Sequence, residues 1–239
     1  MAHYKIISCH VLWHELCYYA ALSNNKFDFE FLKYSLHLTP EVLRTELQAA
    51  IDRSDEGEHS AILLGYGLCS NGTRGITARK KRLVIARGHD CITLLLGSKE
   101  RYREYFDSHS GTYWYSPGWC ENGARPGEDT YNERLTGLVE KYGEDNGKYL
   151  FDMENAWYKN YNNAAYVDLG FGDTGPLKDD TKKSAKWLGW TYDELKGDPQ
   201  LLKNFIEGNW EEKSFLVVEP GQTITASNDE RVIKIEGTK

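Results

Sequence analysis

Short apolar runs closed by glycine or polar turns alternate with stretches of helical spacing along the first 120 residues. Residues 4–8 (YKIIS) read as a strand ending at Cys9, and Val11, Leu12, Cys17, Tyr18 and Ala21 follow at the spacing of one helix face. Residues 27–34 alternate aromatic and acidic side chains, the two-residue period of a strand, and lead to His37 in the loop SLHLTP. Pro40 suits the first turn of a helix with Thr39 as N-cap, and VLRTELQAAID keeps the 3.6-residue spacing. Residues 61–64 (AILL) are a continuous apolar run, as expected of a strand covered on both faces, and 82–86, apolar over LVIA, read as the next buried strand. Between them residues 76–79 read as a short helical turn. Asp90 is the expected N-cap of a helix over CITLLLGSKERYREYF, and residues 111–116 (GTYWYS) predict a further strand.

This alternation predicts an α/β fold with a doubly wound, mostly parallel sheet in the N-terminal half. A smaller α/β C-terminal half follows, with a polar, glycine-rich loop at 121–129 and one or two amphipathic helices in 132–161, broken near 143–147. A strand at 164–170 then closes in the turn FGDTGP, helices are expected near 182–188 and 199–206, and SFLVVEPG and RVIKIEG read as β runs. The expected division is a site-bearing domain over 1–120 and a second domain or extension over 121–239. LLGYGLCSNG and DLGFGDTG echo one another, each an apolar strand followed by Leu-Gly-aromatic-Gly, but the second has no cysteine.

At 239 residues, with 40% hydrophobic and 27% charged positions, the chain has ample core for one large or two smaller α/β domains. A net charge of -7, with only the short cluster Arg79, Lys80, Lys81 and Arg82 on the basic side, argues against a nucleic-acid partner. No apolar run reaches the length of a membrane span, and MAHYKIISC lacks the pattern of a signal peptide, so a cytoplasmic protein is expected. Its five cysteines should then be reduced: buried side chains, metal ligands or nucleophiles rather than disulfides.

Four of them, Cys9, Cys69, Cys91 and Cys120, fall at predicted strand ends, whereas Cys17 lies inside a helix. Ligands of an open parallel sheet bind outside the carboxyl ends of its strands, where helix N-termini lower a thiol pKa. His89 and Cys91 stand two residues apart, which in extended backbone points both to one side, and Cys9 and Cys69 extend that pair to a metal-ligand set of Cys9, Cys69, His89 and Cys91. Such N/S donors suit Zn(II), and three thiolates with an open position suit a [4Fe-4S] cluster; spacing does not choose between them. The loop bearing Gly65, Gly67 and Gly72 is neither a dinucleotide fingerprint nor a P-loop, and reads as a tight turn bringing backbone close to a metal or small ligand at a cofactor site. Glu15, His37 and Asp90 are candidate catalytic groups for moving a proton, although for Glu15 a solvated helix charge is the plainer role. Trp114, Tyr115 and Trp119 either wall a pocket or fill core.

The segments IISCHVLWHEL, LHLTPEVLRTELQ, LGYGLCSNGTRGI, RGHDCITLLLGSKERYREYF and GTYWYSPGW resemble a domain-of-unknown-function family of methanogenic archaea and anaerobic bacteria, often encoded beside corrinoid-dependent methyltransferases and their activators. In that resemblance the shared cysteines and histidine fall on Cys9, Cys69, His89 and Cys91. It implies a place in anaerobic one-carbon, methyl-group or corrinoid metabolism. His-x-Cys with a further cysteine is also similar to the zinc site of methylcobalamin:thiol methyltransferases, except that the further cysteines lie upstream here. Three functions are therefore expected to compete: a zinc enzyme activating a thiol or methylated small substrate, an iron-sulfur lyase or dehydratase, and a non-catalytic accessory protein that binds a corrinoid, a metal or a corrinoid protein. The oligomeric state is open, a homo-oligomer included.

Overall fold

The computed structural model describes residues 1–123 and 125–238. Its elements in chain order are β1 (His3–Cys9), α1 (Trp13–Ala21), β2 (Lys26–Leu32), α2 (Pro40–Ser54), β3 (Ala61–Gly65), β4 (Leu83–Ala86), α3 (Ile92–Leu96) and α4 (Lys99–Ser108). There follow β5 (Thr112–Tyr115), α5 (Pro117–Asn122), α6 (Glu128–Tyr142), α7 (Glu144–Asn155), β6 (Asn163–Asp168), α8 (Gly175–Leu188) and β7 (Thr191–Lys196). The chain ends with α9 (Gln200–Glu207), β8 (Phe215–Val218), β9 (Ile224–Ala226) and β10 (Ile233–Ile235). Short 3-10 turns cover His10–Leu12, Tyr34–Leu38 and Ala156–Asn160.

The chain divides into two compact units, Met1–Tyr102 with Gly197–Lys239, and Arg103–Lys196. This differs from a boundary after residue 120, and the reason is β8. That strand returns from the C-terminal region and pairs antiparallel with β4 (Ala86 opposite Phe215), so residues 197–239 belong with the first sheet.

The first unit has a five-stranded sheet of order β2-β1-β3-β4-β8, parallel except for β8. This is the expected doubly wound arrangement. From β1 the chain moves outward to β2 and then crosses back over β1 to β3, and right-handed crossovers place α1 and α2 on opposite faces. The order therefore reverses between β1 and β3, the topological switch point of the sheet. Ile6, Ile7, Ile62, Leu63, Leu64, Val84 and Ile85 are fully buried, which explains the unbroken apolar runs. Gly65 lies opposite Ser8 in the β1–β3 register, and a Cβ on it would stand 2.2 Å from Ser8 Oγ. Ser8 Oγ in turn donates to the carbonyls of Cys9 and Gly65, each at 3.1 Å, which ties the two strand ends together.

The second unit has a three-stranded parallel sheet, β5-β6-β7. Tyr115, Tyr166, Ala164, Ala185, Cys120 and Trp190 form its core, with Tyr113 and Trp119 packed against it, so these aromatic side chains fill core. The helical stretch expected over 132–161 is α6 and α7, joined at Gly143. In the loop expected at 121–129, α5 reaches Asn122 and α6 starts at Glu128; position 124 lies outside the described residues.

Two local expectations change. Residues 76–79 are not a helical turn: Thr77 bridges Thr223, and the Gly75 and Ala78 N–H groups donate to the carbonyls of Ile224 and Gln222. The helix expected from Cys91 onward is two, because Gly97 adopts φ +87° and a Cβ there would stand 2.6 Å from Asp198 Cβ. No described helix is long and apolar enough to cross a membrane.

Candidate functional site

Three successive strand ends of the first unit carry a cysteine each. Cys9 is the last residue of β1, Cys69 lies in the turn after β3, and Cys91 immediately precedes α3 in the turn after β4. Because β1, β3 and β4 are adjacent and parallel, their turns leave from one edge of the sheet, at the switch point where such folds bind ligands. The last two turns are hydrogen-bonded together, Leu68 N–H to the Gly88 carbonyl and Cys69 N–H to the His89 carbonyl, both at 2.8 Å. Gly67 permits this approach: a Cβ there would stand 2.6 Å from the Gly88 oxygen and 2.8 Å from the Asp90 nitrogen. Gly72 has a comparable role against α2, its added Cβ falling 2.5 Å from Leu43 Cδ2. The three expected cofactor-site glycines thus show a packing requirement each, and none of them has a positive φ.

The left-handed backbone belongs to other residues. Cys69, Ser70 and Asn71 have φ of 46°, 54° and 68° in succession. For L-residues this conformation costs about 1–2 kcal/mol each, less for asparagine, and normally appears one residue at a time. The turn is held by the Gly72 N–H, which donates to the Cys69 carbonyl at 2.8 Å, and by the Arg44 guanidinium, which donates to the carbonyls of Asn71 and Arg74. Strain of this kind persists where the surrounding structure over-determines it, and it concentrates at functional sites.

The thiols share one electrostatic environment. Burial pushes the Cys9 thiol up to about 11, against the lowering effect of the Val11 and His10 N–H groups. Cys69 is raised further by burial and the Asp90 charge, and Cys91 by burial, Cys9, Asp90 and Cys69. The expectation that helix N-termini would lower these thiols is therefore reversed: desolvation outweighs the backbone dipoles. Burial also pushes the Tyr66 hydroxyl well up, with Cys9, Cys69 and Cys91 adding to the effect. Tyr66 is 3% exposed and its hydroxyl has no hydrogen-bond partner among the described residues; the same holds for buried Nδ1 of His10, next to Cys9. Sequence reasoning passed over both, although Tyr66 is the aromatic residue of the Gly-Tyr-Gly turn and His10 directly follows the first cysteine.

The other candidates separate. Asp90 is fixed by the Tyr102 hydroxyl on Oδ2 and the Ile92 N–H on Oδ1, both at 3.0 Å, but it is not the expected N-cap: that position is Cys91, whose side chain makes no capping bond, and Asp90 reaches the helix start from one residue earlier. Burial pushes the Asp90 carboxyl up, against those two donors. His89 is exposed, its ring 6.1 Å from that of Tyr102, and the backbone at Cys91 is helical rather than extended, so the pair does not follow a strand-like alternation. Glu15 is 1% exposed in the first turn of α1, which rules out a solvated helix charge. His37 Nδ1 bonds the Tyr34 carbonyl within its own 3-10 turn. Cys17 is half-buried on α1, and Cys120 sits in the core of the second unit, 3.7 Å from Thr181 Oγ1.

The echo of the first turn in the second unit, between β6 and α8, has the spacing Gly170-x-Gly172-x-x-Gly175. Its third glycine packs against no strand, the nearest atom to an added Cβ being Asp173 Oδ1 at 3.5 Å, and Asp168 occupies the loop by accepting the Gly170 N–H and the Thr174 hydroxyl, each at 2.7 Å. A pyrophosphate would meet two carboxylates there, so the spacing alone carries no phosphate site.

The thiols, the buried Tyr66 hydroxyl and His10 Nδ1 form a donor set that suits a metal: sulfur ligands for a borderline or soft ion, and polar atoms left for what it binds. The three sulfurs do not all lie within 4.8 Å of one another: His3, Asp28 and His59 are the single group among the described residues with three ligand atoms that do. No curated protein and no solved structure gives a significant match to this chain. A family model does match, over residues 31–206, and by that match the chain belongs to the DUF1638 family, proteins of unknown function.

Proposed function

We propose that the first unit is a metal-thiolate protein with its centre on Cys9, Cys69 and Cys91, and that it acts on a thiol or methylated small molecule in anaerobic one-carbon or corrinoid metabolism. The observation that carries the reading is the gathering of three thiols at the β1/β3 switch point, beside a strained turn and two buried polar atoms that no described protein group satisfies. Zinc would supply a Lewis acid that holds a thiol as its thiolate, and a three-cysteine cluster would supply one iron open to substrate. In this reading the chain's own residues position and exclude. The left-handed run fixes Cys69, the Gly67 contact locks the Cys69 and Cys91 turns together, and Asp90 sets the start of α3 through the Ile92 N–H. The Tyr66 hydroxyl offers a buried donor to the bound group, and His10 Nδ1 is the buried nitrogen of the set. A corrinoid protein or methyltransferase as partner follows from the family resemblance.

One observation favours the cluster. Four tetrahedral bonds of about 2.3 Å place zinc-bound sulfurs about 3.8 Å apart, whereas a [4Fe-4S] cluster holds its cysteines farther apart. The three sulfurs do not all lie within 4.8 Å of one another, so at least one pair is wider than the zinc edge. Anaerobic purification followed by metal and acid-labile sulfide analysis decides. Near-stoichiometric zinc, or iron with equal sulfide and a brown colour, in either case lost in Cys69→Ser and Cys91→Ser, supports the reading. Protein that takes up neither, or whose metal content is no lower in either variant than in wild type, refutes it.

A further inference from the structure

We propose a second, independent metal site: a divalent transition ion bound by His3, Asp28 and His59 at the amino-terminal edge of the first unit's sheet. Two of these residues lie on adjacent strands and the third on the segment entering the next one. His3 opens β1, Asp28 lies on β2, and His59 stands two residues before β3, where the Ser60 N–H donates to the His3 carbonyl at 2.7 Å. The parallel register brings together two histidines that lie 56 positions apart in the sequence (59 minus 3).

The three ligand atoms all lie within 4.8 Å of one another. Nε2 of His3 and Nε2 of His59 approach the same carboxylate oxygen, Asp28 Oδ2, at 3.1 and 2.7 Å, and the two rings meet edge to face at 4.7 Å between centroids. A tetrahedral ion with bonds of about 2.0–2.1 Å has ligand-to-ligand edges of about 3.3 Å, so the two contacts to Asp28 Oδ2 need to lengthen by about 0.2 and 0.6 Å. Two imidazoles and a carboxylate are the donors preferred by Zn(II), Ni(II), Co(II) and Fe(II). Asp28 is also the carboxylate left for this purpose. Its neighbour on the same strand face, Glu30, is paired with Lys5 at 3.4 Å and Arg53 at 2.6 Å, whereas the ion-pair partners of Asp28 among the described residues are the two histidines. The His59 side chain is 10% exposed and fixed, while His3 and Asp28 are 35% and 55% exposed and leave an open side for water or a further ligand.

Cys9 ends the strand that His3 begins, so this site and the thiols stand about 20 Å apart along β1 at 3.3 Å per residue, and one ion cannot serve both. The two proposals can therefore fail separately. The tag-free full-length chain, stripped by chelator under anaerobic conditions, is titrated with Co(II) and Zn(II) by calorimetry and absorption. The site predicts one equivalent of Co(II) with only weak visible ligand-field bands, distinct from the strong near-ultraviolet sulfur-to-cobalt band of a thiolate centre. That equivalent is retained in Cys69→Ser and weakened at least tenfold in both Asp28→Asn and His3→Ala, which change exposed side chains. Metal-free circular dichroism and melting temperature serve as the folding control. Zinc and cobalt binding to folded Asp28→Asn and His3→Ala with the wild-type stoichiometry and affinity would overturn the proposal, whatever happens at the cysteines.

Discussion

Gly67→Ala is the sharpest probe of how the first unit holds its thiol-bearing turns. The new methyl would stand 2.6 Å from the Gly88 oxygen, 2.8 Å from the Asp90 nitrogen and 2.9 Å from Asp90 Cα, all backbone atoms that cannot rotate away. Ordinary carbon contacts need about 3.5 Å, so the turns must separate by roughly 0.6–0.9 Å. Overpacking of this size costs about 1–3 kcal/mol. The same displacement stretches the two 2.8 Å bonds from Leu68 and Cys69 to Gly88 and His89, for about 0.5–1.5 kcal/mol each. Against this, alanine stiffens the unfolded chain and returns about 0.4–1 kcal/mol. The net expectation is a loss of about 1–6 kcal/mol, read by urea denaturation of the anaerobic protein with far-ultraviolet dichroism as the signal. Gly172→Ala is the control, since its added Cβ meets nothing within 4 Å and only its φ of +74° is penalised, for about 1 kcal/mol. A Gly67→Ala protein within 0.5 kcal/mol of wild type would refute the idea that the two turns are locked by close backbone approach.

Ser70→Gly should stabilise the protein by about 0.5–1 kcal/mol, because Ser70 is exposed and has φ 54°, whereas Ser70→Val should destabilise it; thermal melts of the pair test the left-handed run directly. Arg87→Met should cost about 3–5 kcal/mol by denaturant titration, since this buried guanidinium donates to the carbonyls of Glu212 at 2.7 Å and Phe215 at 3.2 Å, and to that of Ile233. In the second unit, burial would raise the Asp168 carboxyl, but the Lys178 ammonium, the Gly170 N–H and the Thr174 hydroxyl outweigh it and hold it below the ordinary value. A depressed folded pKa gives stability that is present above the unfolded value near 3.9 and lost as pH falls through the folded one. Asp168→Asn should accordingly lower stability at pH 7 and flatten its decline below pH 4, which melts between pH 2.5 and 7 would show.

The first sheet was legible because β3 and β4 are buried on both faces, the edge strand β2 alternates aromatic and acidic side chains, and each strand is closed by a turn, so period and punctuation agree from residue 4 to residue 86. What failed was non-local. Residues 76–79 look helical until Thr223 is placed beside Thr77, and nothing near position 77 announces a partner 146 residues away. TYDELK, the strand β7, is charged and half-exposed, and it is defined by its pairing with β6. The site was legible as three cysteines at strand ends, and Cys120 was excluded only when β5 proved to belong to another sheet. Glycines drew the eye in the Cys69 turn, yet the left-handed residues are Cys69, Ser70 and Asn71, whose type does not predict that backbone. His3 and His59 were invisible as a pair because only the parallel register joins them.

The antiparallel closure of β4 by β8 also sets an order of events during synthesis. β4 is an unrelieved apolar segment, LVIA, and the strand that seals its open edge ends about 130 residues later. At 5–20 residues per second the edge waits roughly 7–26 s on the ribosome, time in which an unpaired strand can recruit another nascent chain. A message that ends before the codon for Phe215 therefore yields a polypeptide with every thiol ligand present and no means of closing the sheet that presents them. Selection on the codons of β8, distant in sequence from every thiol ligand, then acts on whether the earlier ones ever become a site.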